Sequence, residues 1–166
     1  MAETKIYIPD KLDGQFREAS MKRFGYGKGS ISLAAAEAIT QWLMREDRIQ
    51  KALSRVVEKA EKDRDVVAVM LFGSYTRREA DYRDVDIAIL LKEKAKAEGK
   101  LSVYLDIGDF VENRLLDISV LNELPLDVQS RVFNEGIVVC MKDREAFYDY
   151  SANLIRQAAD PIAIST

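Results

Sequence analysis

The sequence predicts an α/β (α+β) chain: a mixed sheet flanked by helices over residues 47–166, preceded by a strand-helix-helix unit over residues 1–46. Three observations carry this. VVAVMLF (66–72) and VDIAILL (85–91) are apolar runs rich in branched residues, the pattern of strands covered on both faces. Residues 31–45 and 47–64 repeat their apolar positions every 3.6 residues, the pattern of amphipathic helices. Near residue 46 a strand-helix-helix pattern gives way to alternating helices and strands, which places a boundary there. With 166 residues, 48% of them apolar and 32% charged, the chain has material for one compact domain or a domain and a half.

In order, residues 4–8 (TKIYI) alternate, Ile6 and Ile8 on one side and Lys5 and Tyr7 on the other, and Pro9 closes a short strand. Asp10 is expected to cap a helix carrying Leu12, Phe16, Ala19 and the stem of Arg23 on one face. That helix stops in FGYGKGS. Ser30 caps a second helix, whose apolar stripe is Ile31, Ala35, Ala38, Ile39, Trp42 and Leu43. A third helix carries Ile49, Leu53, Val56, Val57 and Ala60, and the two apolar strands follow with a polar loop between them. Beyond the charged run KEKAKAEGK, Leu101, Tyr104, Leu105 and Val111 suggest a helix, followed by a strand at LLDISVL (115–121). Pro125 reopens the chain. A short helix across Val128, Val132 and Phe133 ends at Gly136, GIVVC forms another strand, and Phe147, Tyr150 and Leu154 mark a last helix. The tail DPIAIST is expected to be loosely docked or disordered.

Composition removes several chemistries. The chain has no histidine, which excludes Ser-His-Asp and Cys-His catalysis, imidazole zinc sites and histidine general bases. Carboxylates, lysines, tyrosines and bound metals are left. The single cysteine, Cys140, has no disulfide partner within the chain and stands in an apolar setting expected to be a buried strand end. Net charge is −3, split as +1 over residues 1–46 and −4 over the remainder, so the chain is not coated in nucleic-acid-binding charge. No run of eighteen apolar residues and no basic-then-apolar start occur, and the expected location is cytoplasmic.

The chemistry concentrates in LFGSYTRREADYRDVDIAILL (71–91). Gly73 lets a backbone approach an anion closely, Ser74 offers a hydroxyl and an N–H at a helix start, and Arg77 can clamp the same charge, a set that suits the phosphates of a nucleotide. Asp84 and Asp86 stand two apart at a strand start, so both carboxylates point to one side. Two adjacent carboxylates suit a divalent cation such as Mg2+, and a second ion completes the pair that phosphoryl-type transfer uses; Mn2+ would serve as well. Asp117, inside an apolar strand where an unpaired charge is expensive, is the candidate third ligand and proton acceptor. Singly, each acid fits a turn, an arginine pair or a local cap; together with the Gly-Ser turn they fit a metal site.

G-S-x-x-R followed about ten residues later by D-x-D, with a lone Asp on a later strand, resembles the minimal nucleotidyltransferases (MNT-type) of the DNA polymerase beta superfamily, over roughly residues 49–145. The resemblance implies that Gly73 and Ser74 contact a nucleoside triphosphate, ATP being the expected one. Asp84, Asp86 and Asp117 would then be the metal-binding triad, with Asp117 as the base. Two positions depart from the pattern. Arg78 stands where the family usually has Gly, Arg83 stands where it usually has Ser, and the connecting loop is about one residue short. The triad is intact, so metal binding is expected to survive and substrate preference to be what these positions alter. Many members of the family act as antitoxins beside HEPN ribonuclease toxins, some by transferring AMP to the toxin, which implies a protein acceptor.

The N-terminal unit resembles the ribbon-helix-helix DNA-binding fold through KIYIPDKLDGQF and FGYGKGSISLAAAEAITQWL. The resemblance implies two chains pairing their short strands, Lys5 and Tyr7 reading bases, and Ser30 with the amides after it and Lys28 holding a phosphate. The other reading is a dimerisation handle without a DNA role. Both predict a homodimer through the N-terminal strand, because a lone five-residue strand with two open edges is unstable in water. The expected activity is therefore metal-dependent nucleotidyl transfer to an acceptor hydroxyl. Its rival is a DNA-binding repressor or antitoxin acting by contact, with the catalytic fold as a scaffold.

Overall fold

The computed structural model describes residues 4–79, 82–93 and 115–159. The predicted helix around Leu101, Tyr104, Leu105 and Val111, most of the KEKAKAEGK run and the DPIAIST tail lie outside them. The elements are α1 (Asp10–Phe24), α2 (Ser30–Lys62), β1 (Val66–Phe72), α3 (Gly73–Thr76), β2 (Val85–Leu91), β3 (Leu116–Val120), a 3-10 turn (Leu121–Glu123), α4 (Leu126–Glu135), β4 (Ile137–Met141) and α5 (Arg144–Ala159). Packing divides the chain into two units, residues 1–48 and 49–166. No helix among the described residues is long and apolar enough to cross a membrane.

The second unit is built on a mixed four-stranded sheet in the order β3-β2-β1-β4. β1 is antiparallel to both β2 and β4, whereas β2 and β3 run parallel. The two runs read as doubly covered strands are the central pair. On one face Val69 and Leu71 of β1 and Val85, Ile87 and Ile89 of β2 pack against Ile49, Ala52, Val56 and Ala60 of α2. That spacing, i, i+3, i+7, i+11, is a single helical stripe. On the other face Met70, Ala88 and Leu90 meet Val132 of α4, Phe147 of α5 and Leu121. Each fully buried Ile, Leu, Val or Met contributes about 1.5–3 kcal/mol, so both faces hold the central strands in place and with them the chain ends that carry the acids.

Gly136 joins α4 to β4 where no side chain fits. A Cβ there would stand 2.3 Å from the Val132 carbonyl oxygen and 3.1 Å from that of Leu71. Both obstacles are backbone, which cannot swing aside. Gly136→Ala is expected to destabilise the fold by about 1–3 kcal/mol, measured as a lower midpoint in urea.

Four expectations are corrected. Residues 4–9 form no strand: a segment this short has no neighbouring strand in its own chain to accept its hydrogen bonds, and Ile6 and Tyr7 are exposed on both sides of the predicted alternation. The first unit is helical. The two helices expected on either side of residue 46 are one continuous helix, α2, because MREDRIQ holds neither glycine nor proline and nothing interrupts the hydrogen-bond ladder. α1 starts without a side-chain cap: Pro9 precedes it and Asp10 lies in its first turn, acting on the helix dipole. β4 is the sheet edge, so its residues are largely exposed and Cys140 is half-buried. Burial and then the nearby Glu61 push the Cys140 thiol above its ordinary value, which keeps it protonated and unreactive.

In the first unit, Ser30 opens α2 and is buried, its hydroxyl donating to the carbonyls of Gly25 at 2.5 Å and Gly27 at 2.8 Å, while Arg23 pairs with Glu37 at 2.6 Å. Lys28 is exposed, and Lys5 lies 5.1 Å from the centre of the exposed Tyr7 ring.

Candidate active site

The end of β1 and the start of β2 build the site. β1 terminates at Phe72, which faces Asp86 across the antiparallel pair, and the chain then turns sharply into α3. That turn depends on Gly73, whose φ of +77° is open to glycine and costly for other residues. It also depends on the absence of a side chain. A Cβ on Gly73 would lie 1.9 Å from Asp86 Oδ2 and 2.8 Å from Asp86 Cγ. The carboxylate of Asp86 therefore rests directly on the glycine backbone.

In the parallel pair Asp86 stands opposite Asp117 of β3. Asp84 lies two residues upstream, in the bend just before β2 begins at Val85, and its charge reaches Asp86. The electrostatics agree. Burial first, then the charges of Asp84 and of Asp117, hold the Asp86 carboxyl above the usual carboxylate range, with Arg77 pulling the other way. Three acids thus act on one locus, with Arg77 in opposition. Among the described residues they form no ready-made three-ligand cage. Hard oxygen donors on neighbouring strands, one of them a partly buried carboxylate, are the donor type that a divalent cation such as Mg2+ takes.

The cost first assigned to Asp117 belongs instead to Asp86. β3 is an edge strand, Asp117 is exposed, and Asp86 is the partly buried member. The apolar run LLDISVL did not distinguish an edge strand from a central one.

Gly73, Ser74 and Arg77 lie on one turn at the rim of this locus, Ser74 partly exposed. Arg77 is held by two acids that sequence reading did not single out: Glu79 at 2.6 Å, and Glu135 at the end of α4 at 3.6 Å. Glu79 could have been found from its spacing, whereas Glu135 is brought over by the fold. Tyr75 and Tyr82 pack edge to face at 5.1 Å beneath the turn, and Gln50 of α2 donates to the Tyr75 hydroxyl at 3.4 Å. These contacts fix α3 to the body of the domain. Asp84, Asp86, Asp117, Gly73, Ser74 and Arg77 thus belong to the second unit, and Lys5, Tyr7, Lys28 and Ser30 to the first.

α3 ends in a two-bond reversal. The Arg78 N–H donates to the Tyr75 carbonyl at 3.1 Å and the Glu79 N–H to the Ser74 carbonyl at 3.1 Å. This is the Schellman pattern, whose turning residue takes the left-handed conformation and is usually glycine. Here it is Arg78, with φ of +57°, at a cost of about 1–2 kcal/mol. The motif's usual glycine at this position has a backbone reason, and the arginine carries the strain.

The family model described as "Polymerase beta, Nucleotidyltransferase" matches residues 54–145. No curated protein matches the chain. Among solved structures, one described as a toxin-antitoxin with AMP-PNP is 18% identical, with TM-score 0.44 over 65% of this chain and 85% of that one. Another, a tri-AMPylated Shewanella oneidensis HEPN toxin in complex with MNT antitoxin, is 17% identical, with TM-score 0.43 over 70% of this chain and 85% of that one.

Proposed function

This chain belongs to the polymerase beta nucleotidyltransferase family, and from that premise we propose that it transfers a nucleoside monophosphate, AMP in the favoured case, from a nucleoside triphosphate to an acceptor hydroxyl. One observation carries the reading: the Asp86 carboxylate rests on the Gly73 turn, faces Asp117 in register and is held above the usual carboxylate range by burial and then by the charges of Asp84 and Asp117. Structural ion pairs would place a cation beside each acid, and the dominant neighbours of Asp86 are anionic.

In this reading Asp84, Asp86 and Asp117 hold Mg2+, two ions in the family's pattern, or Mn2+ in its place. The bound cation supplies neutralisation of charge on the phosphate oxygens. Gly73 and Ser74 orient the triphosphate against β1, and Arg77 exchanges Glu79 and Glu135 for a phosphate oxygen. Asp117, exposed beside Asp86, accepts the proton as the acceptor oxygen attacks the α-phosphorus. The bond from the α-phosphorus to the bridging oxygen breaks and pyrophosphate leaves. The acceptor is a hydroxyl on a HEPN-type toxin, the partner class that the motif resemblance implies. Titrating ATP into the protein with and without Mg2+ tests the site: binding that requires the cation supports it, and cation-independent binding or none contradicts it.

The chain is proposed to work as a homodimer through its first unit, with its helices in place of the expected ribbon. The α2 stripe Ile39, Trp42 and Leu43 is more than half exposed, and eleven large apolar side chains of residues 4–48 are exposed in the single chain. Together they offer on the order of 1,000 Å² per protomer, the scale of a stable two-fold interface. Light scattering is expected to give about twice the 18.8 kDa chain mass, and Trp42→Glu to halve it. A monomeric wild type would contradict the proposal. A repressor role for the unit, with Lys5 and Tyr7 reading bases and Lys28 and Ser30 on phosphate, loses its main support with the missing strand.

A further inference from the structure

Two adjacent arginines border the site, and they are in different situations. Arg77 is tied to Glu79 and Glu135. Arg78 is exposed, and its guanidinium makes no ion pair or hydrogen bond among the described residues. Its backbone is nonetheless held in the left-handed region, φ +57°, by the two bonds that close α3. Strain of this kind persists where the surroundings impose it, and it collects at sites that engage a ligand. No hydrogen bond or ion pair of the Arg78 side chain with a described residue offsets that strain. What the arginine offers is a planar cation without an ion-pair partner among the described residues, placed beside the turn that begins at Gly73 and one residue from an arginine whose field reaches Asp86.

Resting on the nucleotidyltransferase reading above, we propose that Arg78 is a binding residue for the polyphosphate of the nucleoside triphosphate, an added positive charge that grips the portion leaving as pyrophosphate. The folded-back chain end supports this assignment. The Glu79 N–H donates to the Ser74 carbonyl at 3.1 Å, so the backbone at Arg78 is folded back next to the Gly-Ser turn, within the reach of a long side chain. A guanidinium suits phosphate oxygens because it donates in pairs and stays charged at any relevant pH. The β- and γ-phosphates are also the anions not already matched to the aspartates. The position thereby trades backbone stability for affinity toward the leaving group.

The test separates strain from charge. Arg78→Gly removes both, Arg78→Lys keeps both, and Arg78→Asn keeps a residue that tolerates the left-handed region while removing the charge. With Mg2+ and an ATP analogue whose α–β bridge cannot be cleaved, Arg78→Gly and Arg78→Asn are expected to bind about tenfold more weakly than wild type. Affinity for AMP should move less than about twofold, and Arg78→Lys should stay within about threefold of wild type. The Tm of Arg78→Gly without nucleotide should rise by about 2–4 °C. A variant that gains this stability and binds the triphosphate like wild type overturns the proposal while leaving the site reading intact. A wild type with no Mg2+-dependent triphosphate binding overturns both.

Discussion

Gly73→Ala is expected to remove Mg2+-dependent nucleotide binding almost completely, by about a hundredfold or more in affinity, while the chain stays folded. The added methyl would stand 1.9 Å from Asp86 Oδ2, far inside any contact distance, so either the carboxylate or the β1–α3 turn must move. The turn resists, because it is braced by the Thr76 hydroxyl on the Gly73 carbonyl at 2.8 Å and by the Tyr75–Tyr82 packing. Asp86 therefore gives way, and a displacement of about 1 Å at a reacting site costs on the order of a hundredfold. Alanine at φ +77° also loses about 1–2 kcal/mol of stability, so the Tm falls by a few degrees without collapse. Calorimetric titration beside a thermal melt checks both. Wild-type affinity in this variant would mean that Asp86 need not rest on the glycine.

Asp86→Asn has the second largest expected effect, and its two parts have opposite signs. Its carboxyl lies above the usual range, chiefly from burial and then from Asp84 and Asp117, so ionising it costs more in the folded chain than in the unfolded one. For a raised acid that penalty is absent below the ordinary value near pH 4 and grows as pH rises through the raised folded value. Without divalent ions the isosteric amide is therefore expected to melt higher than wild type at pH 7, a gap that closes as pH falls toward 4. With Mg2+ and ATP the order reverses: wild type gains stability from binding and the variant does not. Equal response of the two proteins to Mg2+ and ATP would remove Asp86 from the metal site.

Much of this was legible in the residues because local chemistry and fold agree there. VVAVMLF and VDIAILL read as central strands and are covered on both faces. The G-S turn and the D-x-D spacing are local, so their juxtaposition follows once the two strands pair antiparallel. What depended on position in the sheet was hidden. LLDISVL looked buried and is an edge, which leaves Asp117 exposed, and GIVVC forms the opposite edge with its apolar side chains largely in solvent. Glu135 reaches Arg77 from more than fifty residues away in the sequence, and no periodicity carries such a contact. The N-terminal alternation was a sound pattern with no strand beside it to complete a ladder, and TKIYI stays unpaired in the single chain. Arg78 was visible as a departure from a familiar motif, and its meaning emerged only with its φ angle.

The central claim is that three aspartates beside a Gly-Ser turn perform nucleotidyl transfer, and label transfer from ATP tests it most directly. Wild-type protein, Asp84→Asn and Asp86→Asn are incubated with ATP carrying ³²P at the α position, Mg2+, and an extract of the cells that make the protein as a source of acceptor. The account predicts labelled, acid-stable macromolecule with release of pyrophosphate for wild type, abolished by EDTA and in both variants, and no label when the ³²P is placed at the γ position. Label that survives in the aspartate variants, or a wild type that binds Mg2+–ATP yet transfers nothing above them, would contradict it.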